Sequence, residues 1–165
     1  MSSKTAVYAG SFDPPTNGHL WVIKKGSKIF GKLVVVLATN PDKHCLFSEQ
    51  ERFKMLSSMC SHFKNVELTI LGNRYLAHLA NEVGAAWALR GIRNESDYQS
   101  EVVLRDENNK INPLLETVFV FQPPDLRRVS SSFVKSLVGP EGWEDVIKDH
   151  VPLLVYEEFL EKFKK

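Results

Sequence analysis

Five short runs of apolar, often β-branched residues punctuate the chain, at 6–9, 33–38, 66–71, 85–89 and 117–121. Each is nearly continuous in its hydrophobicity, the pattern of a strand covered on both faces. Between them the apolar residues fall at helical intervals. Leu20, Ile23 and Phe30 fit one face of a first helix. Ser48 with Glu51 reads as a capping box, followed on one side by Phe53, Leu56 and Cys60. Leu76, Leu79 and Ala80 predict a short helix ending near Gly84. Ser96 with Gln99 repeats the capping pattern ahead of a helix through about Glu107. Leu153, Tyr156, Leu160 and Phe163 mark a final helix. This alternation predicts an α/β fold on a parallel sheet. Such sheets bind ligands beyond the carboxyl ends of their strands, where the strand order changes direction. The loops that follow the strands are therefore the place to look for chemistry.

Composition narrows the picture. The chain has 165 residues, 43% hydrophobic and 25% charged, which suits one globular domain over 1–165. A formal net charge of +1 gives no overall attraction to nucleic acid or to an anionic membrane, so an anion site has to be local. The first ten residues, MSSKTAVYAG, lack the apolar core of a signal peptide, and no run is long enough to span a bilayer. Two cysteines, Cys45 and Cys60, lie outside any Cys-x-x-Cys pattern and read as free thiols of a reducing cytoplasm.

The strand ends carry groups of one kind. After the first run come Gly10, Ser11, Phe12, Asp13, two prolines, then Thr16, Asn17, Gly18 and His19. Gly10 permits a close approach, the prolines stiffen the loop, and His19 falls in the first turn of a helix, where unpaired N–H groups favour anions. The bland alternative is a proline-rich turn with a surface histidine. Lys43 follows the second run, either as a solvated side chain or as a point charge for phosphate. Arg90 and Arg93 flank Gly91 and Ile92 after the fourth run, matching either phosphate or local carboxylates. Asp97 and Glu101 stand on the helix that follows, as cap and surface residues or as part of the site. Ser130, Ser131 and Ser132 open a helix after the fifth run, as caps or as a phosphate cradle. No Walker loop, Gly-x-Gly-x-x-Gly, Gly-x-Ser-x-Gly elbow or zinc cluster is present. The set points to phosphate chemistry run by positioning and charge stabilisation, without a covalent intermediate.

These residues resemble the nucleotidyltransferase superfamily marked by His/Thr-x-Gly-His, and more narrowly the bacterial phosphopantetheine adenylyltransferases. The matching pieces are GSFDPPTNGH, NPDK, LFSEQER, LRGIRNESDYQSE, ETVFV and VSSSFVKSL, in order from about 6 to 138. The resemblance implies a Rossmann-like, doubly wound five-stranded parallel sheet with C-terminal helices. It implies transfer of AMP from ATP to 4'-phosphopantetheine, giving dephospho-coenzyme A and pyrophosphate by in-line attack. His19 would stabilise the transition state. Ser11 would stand between the attacking phosphate and ATP, beside Phe12. Lys43 and Arg90 would hold the attacking phosphate, and Leu76 would meet the pantetheine arm. Gly91, Ile92, Arg93 and Glu101 match the ATP-binding segment, and Val129 with Ser130, Ser131 and Ser132 the stretch for the outer phosphates. Magnesium would arrive with the triphosphate, with no carboxylate cage to hold it. A homo-hexamer and coenzyme A as a feedback ligand are further implications.

The chain departs from the pattern in places. Ser11 replaces a threonine, Ala9 a proline, and His44-Cys45 a lysine-proline. Leu126, Arg127 and Arg128 replace an aromatic-serine-aromatic stretch, and Asn109 an arginine. The segment 139–150 is longer than usual and carries no assigned role. Two rivals stand beside the main reading. One is a nucleotidyltransferase with nicotinate mononucleotide or glycerol phosphate as acceptor. The other is a module that binds nucleotide or coenzyme A without turnover.

Overall fold

The computed structural model describes residues 4–39 and 44–163. Five strands form one sheet in the order β3-β2-β1-β4-β5. They are β1 (Thr5–Gly10), β2 (Lys32–Leu37), β3 (Val66–Ile70), β4 (Trp87–Ile92) and β5 (Glu116–Phe121). All neighbouring strands are parallel. The helices between them are α1 (Asn17–Ile29), α2 (Glu49–Cys60), α3 (Leu76–Glu82) and α4 (Glu95–Ile111). A short turn at Pro124–Leu126, then α5 (Ser131–Leu137), α6 (Trp143–Ile147) and α7 (Leu153–Phe163) complete the chain.

Strand periodicity sorts the core into two layers. Ala6 and Tyr8 of β1 pack with Leu33, Val35 and Leu37 of β2 against Val22 and Ile23 of α1 and Leu56 of α2. The intervening Val7, Ala9, Val34 and Val36 face the other way, onto Ala77, Leu79 and Ala80 of α3. Helices on both faces explain why the runs are continuously apolar. A third cluster joins Phe47 and Met55 to Val134, Trp143, Val155 and Phe159, and so fastens α5, α6 and α7 to the edge of α2.

The capping box at Ser48 is present: Ser48 Oγ accepts the Glu51 N–H at 3.2 Å, and Glu51 accepts the Ser48 N–H at 2.6 Å. Four expectations need correction. The fourth strand spans Trp87–Ile92, so Arg90 and Gly91 lie within it and not in the loop after it. A charged side chain is tolerated there because it finds partners, described below. The next helix is capped by Asn94, whose Oδ1 accepts the Asp97 N–H at 2.9 Å, so Ser96 and Gln99 make no cap. That helix continues to Ile111, and it has no fully buried residue, which is why its apolar pattern was too weak to mark its end. On the final helix the buried stripe is Val155 and Phe159; Leu153 is exposed. Trp143 supplies the aromatic surface that Phe159 and Phe163 pack on, and it is distant in sequence.

Strand order fixes where a ligand can enter. The chain moves from β1 outward to β2 and β3, then returns to place β4 on the other side of β1. The switch point is therefore between β1 and β4. Their pairing runs only through Ala6↔Trp87 and Val7↔Ala88, although both strands continue. Beyond Val7 and Ala88 they part and open a crevice at their carboxyl ends, where α/β sheets bind ligands.

Candidate active site

The β1–α1 turn is built around Thr16 and His19. Thr16 is fully buried and caps α1. Its backbone N–H donates to His19 Nδ1 at 3.0 Å, and its Oγ1 lies 2.9 Å from the same atom. His19 thus occupies the position that Glu or Gln fills in an ordinary capping box. A backbone N–H can only donate, so Nδ1 carries no proton and the imidazole hydrogen sits on Nε2. Burial, with the Arg93 guanidinium second, lowers His19 from 6.5 to about 4. At neutral pH the ring is an uncharged donor facing the cavity.

Gly18 sits in close contact with the β5–α5 connection. A Cβ there would stand 3.0 Å from Gln122 Oε1 and 3.2 Å from the Val129 carbonyl, so its absence lets the β5–α5 connection close on α1. Gly91 behaves likewise: a Cβ would meet Val22 Cγ2 at 2.7 Å. The 139–150 segment has a role here. The carbonyl of His150 accepts the Asn17 N–H at 2.9 Å, and the Asp149 carbonyl accepts Asn17 Nδ2 at 3.0 Å. It braces the first turn of α1, two residues before His19.

Asp13 ties three elements together beneath the turn. Its carboxylate accepts the N–H groups of Leu46 and Phe47, each at 2.9 Å, and the Lys135 ammonium at 2.8 Å. Burial alone would raise its pKa; Lys135 and the two N–H donors outweigh that and hold it below the usual carboxylate value. Arg52, 2% exposed, lies behind the same turn. Its Nη1 donates to the Ser11 carbonyl at 2.6 Å and its Nε to the Phe47 carbonyl at 3.1 Å. Sequence reasoning missed Arg52, although its spacing to Met55, Leu56 and Met59 puts it on the buried face of α2.

Both site arginines are held by carboxylates. Arg90 makes a two-point pair with Glu101 and donates Nη1–H to the Ala9 carbonyl at 2.9 Å. Arg93 pairs with Asp97 at 2.7 and 2.9 Å. A guanidinium has five N–H groups, so each arginine keeps donors for a ligand. Of the three serines, Ser130 caps α5 through the Phe133 N–H at 3.0 Å, and Ser131 donates to the Pro14 carbonyl at 2.8 Å.

Two cavities open on the crevice. A polar one of about 580 Å³ brings together Ser11, Phe12, His19, Gly91, Arg93 and Glu101 with Val129 and the three serines. A more apolar one of about 810 Å³ holds Leu76 with Leu71, Tyr75 and Ile111. They share a wall of Ala9, Gly10, Ser11, Arg90, Glu101 and Leu104. Ile92 is fully buried and lines neither. Lys43 lies outside the described residues. Gln122 lines the polar cavity and was also missed; a lone glutamine in a loop carries no sequence signal.

The family model described as cytidylyltransferase-like matches residues 7–137. A phosphopantetheine adenylyltransferase from Chromobacterium violaceum is 43% identical over 98% of this chain and 99% of its own. One from Neisseria meningitidis serogroup B is 46% identical over 95% and 92%. The chain belongs to the phosphopantetheine adenylyltransferase family. Among solved structures, a Plasmodium falciparum nicotinic acid mononucleotide adenylyltransferase complexed with NaAD superposes with a TM-score of 0.73 at 16% identity, covering 98% of this chain and 96% of that one. At that identity the likeness is one of fold. Among the described residues, no helix is long and apolar enough to cross a membrane.

Proposed function

We propose that this chain, as one domain over 1–165, transfers AMP from ATP to 4'-phosphopantetheine in coenzyme A biosynthesis. The carrying observation is the pair of cavities whose common wall includes Ser11 and Arg90. The polar cavity suits the nucleotide and the apolar one the pantetheine arm along Leu76. The two reacting phosphates would then meet at Ser11. A phosphate oxygen of phosphopantetheine attacks the α-phosphorus of ATP. The new P–O bond forms as the bond to the β-phosphate breaks, and pyrophosphate leaves. No enzyme nucleophile takes part.

His19 Nε2–H donates to the α-phosphate oxygens as negative charge grows on them. As a neutral donor it keeps its proton throughout. Arg90 and Lys43 bind the attacking phosphate; Arg93 and the serines bind the outer phosphates. Gly91 lies beside the nucleotide, with Ile92 behind it in the core, and Glu101 holds Arg90 in place.

Among the described residues no three His, Cys, Asp or Glu side chains gather as a metal cage. The cavity instead presents hydrogen-bond donors, which fits a triphosphate carrying its own Mg²⁺. That ion would offset charge on the phosphate oxygens. A homo-hexamer would cover exposed apolar side chains such as Leu114, 82% exposed, and Phe121. Coenzyme A, which shares the pantetheine arm, would compete at the same cavities.

Exchange of labelled pyrophosphate into ATP tests the direct route. Exchange that requires dephospho-coenzyme A or phosphopantetheine supports it. Exchange with ATP alone would mean an adenylylated enzyme and overturn it.

A further inference from the structure

Gln122 is the first residue beyond β5 and is 7% exposed. Its backbone N–H donates to the Ile92 carbonyl at 2.9 Å, which fixes it at the end of the sheet. Its carboxamide lies between two glycines: Oε1 is 3.0 Å from the place of a Cβ on Gly18, and Nε2 is 3.3 Å from that of a Cβ on Gly91. The side chain lines the polar cavity, yet among the described residues Oε1 is buried without a hydrogen-bond partner. A buried oxygen in that condition calls for a donor.

The chemistry of the missing partner can be narrowed. Oε1 accepts only, so the partner has to carry a proton. Phosphate oxygens of a bound triphosphate are acceptors and cannot serve. A carboxamide presents an acceptor and a donor side by side, which matches hydroxyls that can both give and take a hydrogen bond. The position favours a sugar. Gln122 packs on Gly18, the neighbour of His19, and the ribose is joined to the α-phosphate by a single ester link.

We propose that Gln122 binds the ribose hydroxyls of the nucleotide and makes the site selective for ribonucleotides over deoxyribonucleotides. This rests on the reading of the polar cavity as the nucleotide site. Gly18 and Gly91 then serve a second purpose, since a methyl group at either would displace the amide.

Calorimetric titration with ATP, 2'-deoxy-ATP, 3'-deoxy-ATP and ITP tests it on the wild type and on Gln122→Met, which keeps the length and removes both polar atoms. Gln122→Leu replaces it if the methionine variant does not fold. The wild type is expected to bind ATP at least about tenfold more tightly than one of the deoxy nucleotides. The variant is expected to lose that preference by weakening for ATP and ITP alike while the disfavoured deoxy nucleotide binds as before. A wild type without preference, or a variant that keeps it, overturns the inference. So does a variant whose ATP-to-ITP ratio changes while its ribose preference stays, because the amide would then read the base. Absence of any nucleotide binding by the wild type would overturn the reading of the cavity itself.

Discussion

Arg90 donates to the Ala9 carbonyl at 2.9 Å, across the gap where β1 and β4 no longer pair. One guanidinium thus satisfies a strand carbonyl that the parted sheet leaves without a ladder partner, and the same group faces both cavities. Opening a crevice in a sheet strands backbone groups, and a side chain has to satisfy them. Arg90→Lys keeps the charge but cannot hold both Ala9 and the two-point pair with Glu101. It is expected to cost about 1–3 kcal/mol in urea unfolding. It is also expected to raise the KM for phosphopantetheine more than that for ATP.

His19 should remain a neutral Nε2–H tautomer well below the usual range for histidine. Its folded-state pKa, about 4, lies under its ordinary 6.5. Between those values the unfolded chain binds the extra proton, so His19 contributes stability that is full above 6.5 and lost as the pH falls through about 4. Stability measured from pH 7 to 4 should fall less steeply for His19→Asn than for the wild type. Imidazole ¹⁵N shifts at pH 6 should report an unprotonated Nδ1; a charged ring would contradict the assignment.

Arg52 is expected to act through Ser11. Arg52→Met removes the donor from the Ser11 and Phe47 carbonyls, at about 1–3 kcal/mol for each group left unsatisfied. The turnover number should fall further than ATP affinity, because Ser11 would be misplaced while the nucleotide contacts remain. Arg52→Lys should recover part of the loss. Equal effects on kcat and ATP affinity would make the residue merely structural.

Gly91→Ala is expected to destabilise by about 1–3 kcal/mol, since its Cβ would meet the stiff Val22 at 2.7 Å. Thermal unfolding measures the cost. Gly84→Ala serves as a contrast: nothing lies within 4 Å, so any loss reflects its φ of +66° alone.

Much of this was legible in the sequence because continuous apolar runs and capping pairs act locally. The parallel sheet, the Ser48 cap and the grouping of Ser11, His19, Arg93 and the serines all follow from such signals. What was not legible depends on contacts distant in sequence. The fourth strand reaches Ile92 because Arg90 finds Ala9 and Glu101. Segment 139–150 gains its role from two carbonyls that meet Asn17. Arg52 shares the helical spacing of Met55, Leu56 and Met59, but the partners that let a charge sit there, the Ser11 and Phe47 carbonyls, come from other parts of the fold.

Adenylyl transfer to phosphopantetheine, with His19 as transition-state donor, has a simple readout. Pyrophosphate release from Mg-ATP by wild type and His19→Ala tests it most directly, with phosphopantetheine, nicotinate mononucleotide or glycerol 3-phosphate as acceptor. Release is predicted with phosphopantetheine alone, accompanied by dephospho-coenzyme A. His19→Ala should slow it by about 10²–10⁴-fold while ATP still binds. Release with another acceptor would overturn the substrate, and a His19→Ala variant as fast as the wild type would overturn the role of His19.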